Sequence, residues 1–179
     1  VAHRVLANRR DVGFARGMPR IPLSLLILIP ALITGPAAAR DSLGVFERWG
    51  AFRDAAQPRC YAIAQPVATR SSQAFATIAH WQRQRVRGQV HFRLSRARAP
   101  RAAVTLSVGD RRFPLVAGTL DAWAMDPRAD AAIVAAIRSG TSMSVQTIDR
   151  AGRAFADSYA LRGAATAIDA AALGCARVR

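Results

Sequence analysis

Residues 89–109 read "QVHFRLSRARAPRAAVTLSVG", and two segments within them decide the fold. Along 89–95, Val90, Phe92 and Leu94 fall on one face of an extended chain while His91, Arg93 and Ser95 fall on the other. Along 103–109, Val104, Leu106 and Val108 repeat the pattern. Successive side chains of a strand point to opposite faces, so a period of two with β-branched and aromatic residues predicts half-buried strands. Upstream, "CYAIA" (60–64) and "AFATIAHW" (74–81) read the same way. Downstream, Gly109-Asp110 predicts a hairpin into "RRFPLVAG" (111–118), where Pro114 cannot donate to a ladder and so predicts an edge position or a bulge.

The period then changes. "DPRADAAIVAAIRSG" (126–140) offers Asp126 as N-cap, Pro127 at the first helical position, Arg138 near the negative end and Gly140 as stop. Ile133, Val134 and Ile137 form one stripe, so this helix is expected to lie on a sheet. "TSMSVQTID" and "RAFADSYALRG" predict two more strands joined across 149–152. "AATAIDAAALG" predicts a last helix ended by Gly174, with Ile168 and Leu173 as its large apolar residues. The expected fold class is mainly β: an antiparallel β-sandwich or open barrel with two short helices (126–139 and 165–174).

The segment "MPRIPLSLLILIPALITGPAAA" (18–39) has a basic start, an apolar run and a small-residue end, the three parts of a secretory signal, with cleavage expected after Ala39. Residues 1–39 are read as a signal peptide, with Met18 as the alternative start if the N-terminus is over-extended, and 40–179 as a single exported β-rich domain. The apolar run 21–34 is interrupted by Pro22 and Pro30 and falls short of the ~20 residues of a membrane span, so no transmembrane anchor is expected after cleavage. The destination is the bacterial periplasm or the exterior. Of 26 basic and 11 acidic residues, five and one lie in 1–39, leaving 21 − 10 = +11 on the exported part. Every basic residue is arginine. Such a charge attracts anionic surfaces, which outside the cytoplasm makes an anionic envelope component, or another envelope protein, the expected partner, and not nucleic acid.

The two cysteines, Cys60 and Cys175, are expected to be joined, because an oxidising compartment lets disulfides persist; two separately buried thiols are the alternative. A bridge across 175 − 60 = 115 positions would remove ~4–5 kcal/mol of unfolded-chain entropy in the simple loop picture. His80 and His91 bring no paired ligand spacing, so no metal is expected, and nothing in the chain calls for a cofactor. G-x-S-x-G, H-E-x-x-H, C-x-x-C and the phosphate-binding G-x-x-x-x-G-K are all absent from the sequence. A non-enzymatic binding domain is therefore expected, the alternative being a small periplasmic hydrolase that uses His80 or His91 as its base. His91 reads as a solvated strand residue and His80 as half-packed beside Trp81. Arg83, Arg85 and Arg87 alternate, and Gly88 lets the chain turn toward Arg93. These four are the candidate anion-binding residues, set against the plainer reading of a solvated face.

Phe113-x-Leu115, Ala122-Trp123, the Asp130, Ile133, Ile137, Gly140, Met143, Val145 series, Gly152, Tyr159-x-Leu161-x-Gly163, Ala167-Ile168 and Cys175, with Trp49 and Cys60 ahead of them, make a pattern that resembles the invasion-associated locus B family over most of 46–175. The chain has "DAWAMD" where many members carry a further cysteine pair. The resemblance implies an exported α-proteobacterial protein with no established catalytic activity.

Overall fold

A computed structural model describes residues 40–68 and 73–176; the expected signal and its cleavage point, and with them the boundary of the exported part, lie outside the described residues. Ten strands and two helices follow one another as β1 (Arg40–Phe46), β2 (Trp49–Asp54), β3 (Arg59–Ala64), β4 (Phe75–Trp81), β5 (Val86–Arg93), β6 (Val104–Val108), β7 (Arg111–Ala117), β8 (Asp121–Ala124), α1 (Pro127–Ser139), β9 (Ser142–Ile148), β10 (Ala154–Ala160) and α2 (Ala164–Ala176). All strands join one sheet in the order β1-β2-β3-β4-β5-β8-β7-β6-β9-β10, and every neighbouring pair is antiparallel.

The sheet is mainly β as expected, and it is neither two stacked sheets nor a closed barrel. It curls until its two ends share a core. Trp49 of β2, fully buried, donates its indole N–H to the carbonyl oxygen of Ala160 of β10 at 2.9 Å, and the rings of Phe92 and Tyr159 stand 6.2 Å apart. Val90, Phe92, Leu94, Val104, Leu106 and Val108 all lie in that core, so the alternation in 89–109 reports the inner face correctly.

α1 starts where Asp126 accepts from the Ala129 N–H at 2.8 Å and ends at Gly140, whose N–H reaches the Ala136 carbonyl. It buries Ile133, Ala136 and Ile137. α2 buries Ala164, Ala167, Ile168 and Ala171, a face of small residues that lets the helix approach β1–β3 closely. No helix among the described residues is long and apolar enough to cross a membrane.

Four expectations need correction. Gly174 does not end α2, which runs on to Ala176; a Cβ at position 174 would lie 2.4 Å from Leu43 Cδ1, so glycine is there for close packing on β1. Leu173 is exposed, because the alanines supply the buried face. Pro114 lies in an interior strand; it is tolerated because the β8 ladder on that side begins only at Leu115. β5 begins at Val86, ahead of the expected 89, and β1, β2 and β8 were not foreseen. The β5–β6 connection crosses the sheet on an arginine: Arg98 donates to the carbonyls of Gly118, Ala117 and Ala102 at 2.7, 2.7 and 2.8 Å.

Candidate functional site

The sequence-predicted residues gather mostly at one end of the molecule, where β4 turns into β5. Residues 82–85 form the turn, with the Arg85 N–H bonded to the Gln82 carbonyl at 3.3 Å and Arg85 itself in the left-handed region at φ 57°. Ala79 then pairs with Gln89 and Trp81 with Val86, so Arg87 and Gly88 together face the single residue His80. This is a bulge, and Gly88 at φ 71° is the residue that permits it. The bulge breaks strand parity. It leaves Arg87 on the side of His80 and the helices, while Arg93, six positions on, belongs to the outer face.

Two adjoining hollows open here, of about 370 and 770 Å³, and share His80, Arg87 and Ala172. Arg138 of α1 lines the smaller and Arg85 the larger. His80 Nε2 is buried without a hydrogen-bond partner. Burial first, and then the positive charges of Arg87 and Arg138, hold its imidazole below the ordinary value of 6.5. Arg138 donates to Asp169 of α2, which lowers that carboxyl and raises the guanidinium. Arg83, Arg85 and Arg87 are exposed, and none of the ion pairs among the described residues includes them.

The rim of the larger hollow is pinned twice. Cys60 of β3 and Cys175 of α2 form a disulfide with their Cα atoms 5.6 Å apart, and Gln82 Nε2 donates to the Cys175 carbonyl at 2.6 Å. The alternative of two separate thiols therefore does not describe this structure.

Arg93 leaves the expected four. It donates to Asp121 Oδ2 at 2.7 Å, and His91 Nε2 stands 3.0 Å from the other oxygen of the same carboxylate. His91 is not a solvated residue: it stacks on Trp123 at 5.1 Å and meets Phe75 edge-on at 5.5 Å. Burial lowers its pKa against the opposing pull of Asp121. Arg138 and Asp169 were missed as site residues. Their signal was present only as a basic residue in the last turn of α1, which reads first as a helix-end feature.

Neither a family model nor a curated sequence matches the chain. Among solved structures, the crystal structure of invasion associated protein B from Bartonella henselae is similar, with a TM-score of 0.56 and 15% identity over 73% of this chain and 96% of that one. That likeness is one of fold.

Proposed function

We propose that this chain is an exported, non-enzymatic envelope or secreted protein whose disulfide-closed β domain binds an anionic partner through Arg83, Arg85 and Arg87. The observation that carries the reading is the contrast among arginines. Arg53, Arg93, Arg138 and Arg153 each meet a carboxylate, whereas these three cluster on one turn and strand start and enter no ion pair among the described residues. Like charges held together without acids repel, and an anion relieves that repulsion. A disulfide suits an oxidising compartment, and the fold likeness to an invasion associated protein supports an exported setting.

Co-sedimentation with vesicles containing anionic lipid tests it. The protein should bind at low salt and release as the screening length shrinks below ~8 Å. Arg83→Gln/Arg85→Gln/Arg87→Gln should abolish the binding and Arg93→Gln should retain it; equal binding by the triple variant overturns the reading. One observation favours a second reading, hydrolysis: the Asp121 carboxylate orients His91 as it would a general base. His91→Gln and His80→Gln separate the two, because an esterase activity would vanish with one of them while vesicle binding would persist.

A further inference from the structure

From the juxtaposition of Arg87, Arg138 and His80 with an apolar wall between α1 and α2, we infer that this hollow binds a single-chain amphiphile with an oxyanion head, a carboxylate or a phosphate monoester. The polar end is built from three elements that meet only in the folded chain: Arg87 from the bulge of β5, Arg138 from the last turn of α1, and His80 from β4. Among the described residues no carboxylate lines either hollow, and the nearby Asp169 is held by both terminal nitrogens of Arg138. Arg87 presents its forked donors to an oxyanion, a geometry suited to bidentate bonds, while Arg138 gives both terminal nitrogens to Asp169 and lines the recess as one half of that ion pair.

The wall is the second half of the argument. Ala131, Val134 and Ala135 of α1 and Ile168 and Ala172 of α2 line the smaller hollow. Three of the five are alanine, and each missing side chain deepens the groove. A site for inorganic phosphate alone would have no use for such a wall. A bilayer surface would meet the exposed arginines at the rim and would have no use for an apolar recess between two helices. Each hollow by itself, about 370 Å³ and about 770 Å³, lies in the range of small-ligand sites. His80 completes the site as a neutral imidazole, since burial and both arginines disfavour its cation; an anion seated between them would reverse part of that effect and raise its pKa. The inference shares Arg87 with the vesicle reading but does not rest on it, since the helix wall and His80 take no part in vesicle attraction.

The test is calorimetry on the oxidised protein with decanoate, decyl phosphate, inorganic phosphate and decyltrimethylammonium, paired with a histidine NMR titration. One saturable site for decanoate or decyl phosphate is expected, and which of the two binds tighter tells a fatty acid from a phosphate ester. Bound ligand should move the His80 titration upward. Arg87→Gln should weaken binding about tenfold, the loss of one charge-assisted bond. Ala135→Trp, at an exposed wall position, should weaken it by as much through filling the hollow while leaving vesicle binding intact. Inorganic phosphate binding as tightly as decyl phosphate, equal binding of the cationic amphiphile, an unmoved His80, or full affinity in both variants would each overturn the inference.

Discussion

Gly163 stands at φ 84°, and a methyl group there would lie 2.1 Å from the carbonyl oxygen of Phe46. Both backbone strain and a clash with main chain oppose any side chain, and the main chain of the β1–β2 hairpin cannot yield as a flexible side chain would. Gly163→Ala should therefore cost about 2–4 kcal/mol in chemical denaturation. Tyr159 presents the opposite case. Its hydroxyl is buried without a partner, and burial together with the charge of Asp157 raises its pKa. Tyr159→Phe removes an unsatisfied group and keeps the ring that packs near Phe92, so stability should be unchanged or higher by up to about 1 kcal/mol; a clear loss would show a partner for the hydroxyl in solution. Such residues show how the sequence pattern is to be understood. Ile133, Ile137, Met143, Val145, Tyr159, Leu161 and Ile168, the large apolar residues of the C-terminal part of the pattern that resembles the invasion-associated locus B family, are all buried, while Trp123 of the same pattern is exposed. The pattern therefore reports packing and is silent on the ligand.

Among the elements, α2 depends most on a single bond. Its buried face is mostly alanine, which contributes little apolar area per residue, and its last turn is held by the Cys60–Cys175 disulfide and by Gln82. Cys60→Ser/Cys175→Ser should lower stability by about 2–5 kcal/mol. Hydrogen exchange should show the loss first in the C-terminal turn of α2, with β5, β6 and β9 still protected. Uniform loss across the sheet would mean that α2 and the strands unfold as one unit. The strand pattern in 89–109 was legible because each residue there keeps one face for its whole length. β1 and β2 were not, because the alternation in 40–54 is diluted by Gly44, Gly50 and charged residues, such as Asp41 and Arg53, that pair across the hairpin. Gly174 was misread for a related reason: glycine near a helix end signals a stop, and only the position of Leu43 reveals that it serves contact instead.

Over the whole molecule, acidification should loosen the fold through its two half-buried imidazoles. His80 and His91 both have folded pKa values below the ordinary 6.5, chiefly through burial. The unfolded chain then binds protons more readily than the folded one as pH falls through 6.5, so the contribution is present above that value and is lost below it, down to the folded pKa values. Denaturation midpoints measured from pH 7.5 to 5.0 should fall for the native protein and fall less for His80→Gln/His91→Gln. Equal slopes would show that neither imidazole is held neutral by the fold. Asp149 and Asp169, both lowered below the ordinary 3.8, add their own losses only in more acid solution.

What the sequence by itself determined was local or covalent: the inner faces of β5 and β6, the span and caps of α1, the hairpins at 109–110 and 149–152, and the identity of the two thiols that could meet. Each rests on periods or spacings of a few residues, or on there being only two cysteines. Tertiary structure alone decided which arginines face the hollow. The row Arg83, Arg85, Arg87, Arg93 shares a parity along an extended chain, but the bulge at Arg87 and Gly88 shifts that parity, sends Arg93 to Asp121 on the outer face and leaves Arg87 beside His80. Arg138 joins them from a helix some 50 positions away in sequence (138 − 87 = 51), a meeting produced by the crossing of α1 over β5 and by no pattern along the chain.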